Sequence, residues 1–260
     1  MSIADYHVHT TYSDGSLLAR MLAAADSADA TAVGVADHCI VSDRGSARDR
    51  RARRGFNLDR THDRRRTAIE RFREETDLAV HDAVEIDYAP ADEPEIAAFL
   101  EATTFDYAIG SIHAIDGLDV QDTNAIAALS KAERRRVVDA YFDRLVALID
   151  SELVAVAAHP DLVERTEPLR GIAGRDAYER VAAAFADSRT IPEVNAGRVH
   201  RGFGRVHPTA EFLAVLGEYD IPVTVGSDAH RPDELVDRHD HLATFLAEHD
   251  IAPVAPPPLR

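Results

Sequence analysis

Seven short runs rich in β-branched and apolar residues, at positions 3–9, 32–38, 83–88, 107–113, 154–159, 191–195 and 222–228, alternate with longer segments of helical spacing. Strand then helix, seven times over, restricts the fold to parallel strands joined by crossover helices, because parallel neighbours need a connection long enough to return over the sheet. A closed barrel and an open doubly wound sheet both satisfy this pattern. Leu17, Leu18, Met21 and Leu22, and again Val137, Tyr141, Leu145 and Leu148, recur at the spacing of an amphipathic helix. Ser130 with Glu133 reads as a capping box opening the second of these helices. The 260 residues contain no Gly, Ser or Pro run that marks an interdomain linker, and no internal repeat. Residues 1–260 are therefore expected to form one domain, with the Pro-rich stretch 252–260 a loose tail.

Charge narrows the partners. The chain carries 46 acidic and 29 basic residues, a net charge of −17 with histidine neutral. That field opposes nonspecific binding to a nucleic acid polymer or an anionic membrane. The bases are 28 arginines and the single Lys131, and this acid loading with lysine depletion leads us to expect a halophilic, salt-loaded cytoplasm. No run of eighteen apolar residues is present, and the first ten residues lack the order of a signal peptide, so the expected location is cytoplasmic. The lone cysteine, Cys39, excludes an internal disulfide framework and a four-cysteine zinc site; its default reading is a small buried apolar residue. Bound metals must then be held by histidine and carboxylate. Residues 44–66 reverse the sign locally, with ten arginines against three aspartates. This stretch reads either as a solvated loop and helix start or as a positively charged lid over an anionic substrate. The oligomeric state is left open.

The histidines carry the chemistry. Of thirteen, six (His7, His9, His38, His113, His159 and His230) fall at or just beyond the C-terminal end of an expected strand, as do Glu85 and Asp228. In parallel α/β folds ligands collect at that edge. His7 and His9, at i, i+2, share one face of a strand, and Asp14 adds a carboxylate in the following loop. Glu85, between Val84 and Ile86, points opposite to its apolar neighbours; buried alone it would cost several kcal/mol, so it needs an arginine or a metal. For His113 and His159, taken singly, a core imidazole satisfied by backbone is the commoner explanation. Asp228 and His230 repeat the i, i+2 spacing. Nine candidate donors exceed the needs of one ion, and imidazole with carboxylate suits zinc, iron or manganese better than magnesium or calcium. Two or three divalent transition-metal ions are expected.

The ordered motifs DYHVHTTYSDG, GVADH, VEIDY, FDYAIGSIH, AAHPDL, PEVNAG and GSDAH run over nearly the whole chain. This set resembles the PHP (polymerase and histidinol phosphatase) superfamily of metal-dependent phosphoesterases, and the VEIDY and FDYAIGSIH blocks look most like its histidinol-phosphatase branch. The resemblance implies a single-domain α/β fold, a distorted (β/α)7 barrel with a trinuclear site at the C-terminal strand edge. In it His7, His9, Glu85 and Asp228 would hold one metal, the shared Glu85 with His113 and His159 a second, and Asp14, His38 and His230 a third. Some members have histidine where Asp14 stands. It implies hydrolysis of a small phosphate monoester, foremost L-histidinol phosphate in histidine biosynthesis, by a metal-bridging hydroxide. Two alternatives stand beside it: a nucleoside monophosphate or 3′,5′-bisphosphate as substrate on the same cluster, or a noncatalytic binding domain that keeps the barrel. Arg165 and Arg198, just past strand ends, are the candidate phosphate contacts, with surface salt bridges the plain alternative for each. Asp161 and His200 are the candidates for protonating the leaving group, and each is equally a supporting or surface group. Ser111 and Ser227 read as hydrogen-bonding supports, and His62, His81, His207, His239, His241 and His249 as structural or exposed.

Overall fold

The computed structural model describes residues 2–258. In chain order the strands are β1 (Asp5–Val8), β2 (Ala32–Cys39), β3 (Ala79–Asp87), β4 (Tyr107–Ser111), β5 (Ala114–Ile115), β6 (Leu118–Asp119), β7 (Val156–Ala157), β8 (Ile191–Asn195) and β9 (Thr224–Gly226). Seven of them pair in parallel in the order β1-β2-β3-β4-β7-β8-β9, while β5 and β6 form a small antiparallel hairpin beyond β4. The ends of the sheet meet. Val8 bridges in parallel to Ala229, Asp228 N–H donates to His7 O at 2.8 Å, and His9 N–H donates to Ala229 O at 2.9 Å. Closure removes both exposed edges, so of the two architectures the sequence allows, the molecule is the barrel, a distorted (β/α)7 unit.

The helices are α1 (Leu18–Ser27), α2 (Gly45–Arg54), α3 (His62–Arg73), α4 (Glu93–Thr103), α5 (Thr123–Ala127), α6 (Lys131–Asp150), α7 (Arg175–Ala186), α8 (Ala210–Glu218) and α9 (Pro232–Glu248). The expected capping box opens α6, with Ser130 and Glu133 each bonding the other's backbone N–H. That helix buries Val138, Tyr141, Phe142, Leu145, Leu148 and Ile149. On α1 the stripe is Leu18, Met21 and Leu22, whereas Leu17 precedes the first turn and stands exposed.

Strand alternation sorts the core into layers. Along β3, Val84 and Ile86 join the apolar layer shared with the outer helices, and Ala83 faces an inner cluster with Ala36, Tyr107, Ile109 and Ile191 that fills the barrel. Glu85 lies one pleat period on from Ala83, toward the C-terminal rim. Two strands are much shorter than their apolar runs suggest, β7 keeping two residues of the run 154–159 and β9 three of 222–228, whereas β3 is longer than its run. Just past those ends His159 (φ +29°) and Asp228 (φ +52°) leave the extended conformation for the left-handed region.

Residues 44–66 contain the expected helix start, at His62, but Gly45–Arg54 is helix where a loop was expected. They form α2 and the start of α3, and several of their arginines are paired. Arg65 is fully buried between Asp37 (2.8 Å) and Asp82 (2.7 Å), Arg66 meets Asp82 at 2.9 Å, and Arg50 meets Asp87 at 2.8 Å. Of the Pro-rich stretch, residues 252–258 form no regular element, although Val254 N–H donates to Val223 O at 2.9 Å; Leu259 and Arg260 lie outside the described residues. Among the described residues no helix is long and apolar enough to cross a membrane.

Candidate metal centre

Six strands deliver side chains to one rim. His7 and His9 come from β1 and the residue after it, His38 from β2, Glu85 from β3, His113 from beyond β4, His159 from beyond β7, and Asp228 and His230 from beyond β9. Asp14 reaches in from the loop between β1 and α1. Glu85, 1% exposed, is the hub. Its Oε2 lies 2.5 Å from His38 Nδ1, 3.6 Å from His7 Nε2 and 3.7 Å from His9 Nε2; its Oε1 lies 3.5 Å from both His113 Nε2 and His159 Nε2. Against the cost of burial, the charges of His38, His113 and His7 hold its carboxyl well below the usual range. Asp228 approaches His9 at 3.4 Å, and Asp14 approaches His230 at 3.3 Å and His38 at 3.7 Å. His7, His9, His113 and His159 are buried, whereas His38 and His230 are half-buried and Asp14 is exposed at the mouth.

Among the described residues neither oxygen of Glu85 has a well-formed hydrogen bond, and the Nε2 atoms of His7 and His9 face each other at 3.1 Å. Buried polar atoms are ordinarily satisfied, and neutral imidazoles with carboxylates are donors for divalent transition metals. The residues present therefore fit metal ions. Three groups have donor atoms mutually within 4.8 Å: His9, Asp14, His38 and His230; His7, His9 and Glu85; and His38, Glu85 and His113. His9 and His38 thus each stand in two groups, an overlap absent from the three-way division implied by the motifs. Against burial, Glu85 raises His38 to about 9, while burial together with His230 and His38 pushes His9 down to about 4.

Two carboxylates that carried no role in the sequence reading orient these imidazoles. Glu193 Oε1 sits 2.8 Å from His7 Nδ1 and its Oε2 accepts the backbone N–H of His159, while Asp87 Oδ1 takes His113 Nδ1. Such partners fix the ring so that the other nitrogen faces the ion. A Cβ at position 226 would come within 2.0 Å of Glu193 Oε1 and 2.4 Å of His7 Cβ, so the glycine of GSDAH makes room for that pair. The signal was present in VEIDY and PEVNAG, where Asp87 follows Glu85 by two residues and Glu193 lies between Pro192 and Val194.

Over the donors opens a cleft of about 480 Å³ whose walls carry Arg54, Arg165, Arg198, Arg201, Arg231 and Arg238, with Phe56 beside them. Most are paired, Arg201 to Glu234 at 2.8 Å, Arg231 to Asp233 at 2.7 Å and Arg238 to Glu234 at 3.2 Å. Arg198 is half-buried with no acceptor among the described residues, and burial followed by the nearby Arg165 lowers its pKa. Arg165 lies 3.2 Å from Asp228. From the arginine-rich stretch, Arg54 and Phe56 reach this cleft.

Neither candidate acid faces the cleft. Asp161 is fully buried, its oxygens taken by His207 Nδ1 at 2.5 Å and Thr209 N–H at 2.6 Å. His200 is exposed beside His241, ring centroids 5.9 Å apart, because the chain after β8 turns His207 inward instead, through the bridge between Asn195 and His207. Ser111 supports His113 Nδ1 at 3.3 Å, and Cys39 is buried with its thiol pushed up by burial.

A closed parallel barrel with histidines and carboxylates crowded at its C-terminal rim under an arginine-walled cleft defines a metal-dependent phosphoesterase. Residues 5–197 match the PHP domain, and the chain belongs to that family. Its fold is similar to that of the histidinol phosphate phosphatase HISK from Lactococcus lactis, solved with Zn, L-histidinol and phosphate (TM-score 0.74, 16% identity, 99% of this chain and 98% of that one). It is also similar to hisK from Listeria monocytogenes (TM-score 0.71, 17% identity, 89% and 96%) and to a chain of archaeal ribonuclease P with mature tRNA (TM-score 0.52, 12% identity, 95% and 90%). No curated protein matches the sequence.

Proposed function

We propose that this protein hydrolyses a small phosphate monoester using two or three zinc, manganese or iron ions, and that its substrate is L-histidinol phosphate, cleaved in the cytoplasm as a step of histidine biosynthesis. The observation that carries the reading is Glu85, whose two oxygens face different sets of imidazoles beneath an arginine-walled cleft. His7, His9, Asp14, His38, Glu85, His113, His159, Asp228 and His230 would hold the ions. Bound there, such ions activate water at neutral pH and offset charge on phosphoryl oxygens. The chain's own part is positioning. Arg198, without an acceptor among the described residues, and Arg165 bind and orient the phosphoryl oxygens, while Glu193 and Asp87 hold His7 and His113 in their ligating tautomers. Support for histidinol phosphate comes from the VEIDY and FDYAIGSIH blocks and from the Lactococcus relative, solved with L-histidinol and phosphate.

A nucleotide substrate is favoured by one observation of its own. Phe56, two residues beyond α2, lies nearly parallel to His38 (centroids 6.1 Å, 23°), and with Arg54 it offers the cleft an aromatic face and a further cation, which suit a base and a second phosphate. The deciding experiment is phosphate release at high salt, with manganese or zinc, from L-histidinol phosphate beside nucleotides and sugar phosphates. Preference for histidinol phosphate would establish the substrate. Preference for a nucleotide would keep the metal chemistry and replace the substrate, and no release from any of them would favour a noncatalytic barrel.

A further inference from the structure

The geometry points to His207 as a positioning residue, locked by Asp161 in its neutral Nδ1–H form so that its Nε2 aims the Arg165 guanidinium at a phosphoryl group in the cleft. The inference rests on the phosphatase reading and adds to it a device behind the phosphate contact.

The protonation pattern follows from donors and acceptors alone. Arg165 Nε donates to His207 Nε2 at 2.9 Å, and a guanidinium has no acceptor to offer, so Nε2 must present a lone pair. The ring hydrogen then belongs on Nδ1, which faces Asp161 Oδ1 at 2.5 Å. Asp161 cannot turn away, because its Oδ2 accepts the Thr209 N–H at 2.6 Å. His207 is fully buried and stacked on Phe203, with centroids 4.6 Å apart and planes within 10°. A cationic imidazolium would face a guanidinium across that contact. In keeping with this, burial, with Arg165 and His159 adding to it against the pull of Asp161, lowers His207 to about 4.

Two further acceptors fix the guanidinium plane. Arg165 Nη2 donates to Asn195 Oδ1 at 3.0 Å and to Asp228 Oδ2 at 3.2 Å. Gly197 leaves the space: a Cβ there would stand 2.9 Å from Arg165 Nη2 and 2.4 Å from Asp228 Oδ2. With Nε and Nη2 engaged, Nη1 has no acceptor among the described residues, and the side chain lines the cleft. Nη1 is thus the free end for an anion, and His207 anchors the opposite end of the group.

The test is calorimetric titration of the zinc-loaded protein with inorganic phosphate, alongside zinc content and imidazole ¹⁵N shifts, for wild type, His207→Phe, His207→Gln and Asp161→Asn. Phe keeps the stacked ring without an acceptor, and Gln restores an acceptor near the Nε2 position. Asp161→Asn that keeps its oxygen on Thr209 N–H turns an amide NH2 toward Nδ1, moving the ring hydrogen to Nε2, where it opposes Arg165 Nε–H. With zinc content unchanged, His207→Phe and Asp161→Asn should weaken phosphate binding about ten- to a hundredfold, and His207→Gln by no more than about threefold. The ¹⁵N shifts should show Nδ1–H in wild type and Nε2–H in Asp161→Asn, a readout that serves even if His207→Phe fails to fold. Wild-type affinity in His207→Phe, or in an Asp161→Asn protein with the tautomer reversed, would overturn the inference and leave the phosphatase reading standing. A zinc-loaded wild type that binds no phosphate would overturn both.

Discussion

Each Glu85 oxygen lies 3.7 Å or less from the imidazoles it faces, and neither is satisfied by a formed hydrogen bond. In the proposed reading this carboxylate bridges the bound cations. Glu85→Gln preserves shape and removes the charge; metal analysis and turnover should both fall, turnover by more than the roughly 10–100-fold expected for Asp87→Asn or Glu193→Gln, which disturb only the partners of ligands. Equal effects from all three would demote Glu85 from bridge to support. His207 carries a pH prediction whose sign is fixed. Its folded pKa, about 4, lies below the ordinary 6.5, so the unfolded chain binds more protons between those values and stability falls as pH drops through that window. The loss for this one group is of order 3 kcal/mol, read as a smaller pH dependence of urea midpoints in metal-free His207→Gln than in metal-free wild type. The donors were legible because strand alternation fixes which residues share a face and strand ends mark the rim. His207 was not, because whether it or His200 turns inward is decided by the path of the loop after β8, which no periodicity records.

At the scale of elements the same contrast holds. The seven strands and α6 could be read from the sequence because their signal is apolar and periodic, and the capping box formed as Ser130 and Glu133 imply. Ser130→Ala should cost about 1 kcal/mol of stability, measured by chemical denaturation, without changing metal content. Helix α2 was hidden because it buries only Ala47, and α3, whose start was expected, buries only Arg65 and Ile69. Charge pairing, not an apolar stripe, seats this unit. Arg65 sits between Asp37 and Asp82, and Asp37 in turn accepts from Thr10 and Ser13 in the loop after β1. Arg65→Met would leave buried Asp37 without its cation and Asp82 with Arg66 alone, and a loss of about 3–5 kcal/mol is expected from denaturation curves. A loss below about 1 kcal/mol would mean that water or Arg66 replaces the pair. The hairpin β5–β6 was equally illegible, because strands of two residues depend on their neighbours and not on their own composition; the run of β7 was legible, but not that only two of its residues would pair.

For the molecule as a whole, two effects of charge meet at the barrel rim. The donors come from β1, β2, β3 and the ends of β4, β7 and β9, so ions bound there tie together strands distant in sequence, and their binding free energy adds to folding. At a free metal concentration a thousand times the dissociation constant the gain is about 4 kcal/mol, and for a chain of this size each kcal/mol shifts the midpoint by roughly 2–4 °C. A chelator should therefore lower the melting midpoint by about 8–16 °C. The net charge of −17 acts in the opposite sense, through self-repulsion that salt screens as the Debye length shrinks from about 10 Å at 0.1 M to about 3 Å at 1 M. Cations bound at the rim add positive charge to the molecule and so offset part of that repulsion. The metal-free protein should thus gain more from added salt than the loaded protein, seen as a steeper rise of melting midpoint with sodium chloride. Equal slopes would place the repulsion on the outer surface, away from the rim. A protein that kept fold and activity with no added salt in either form would end the expectation of a salt-loaded habitat while leaving the metal-linked stability intact.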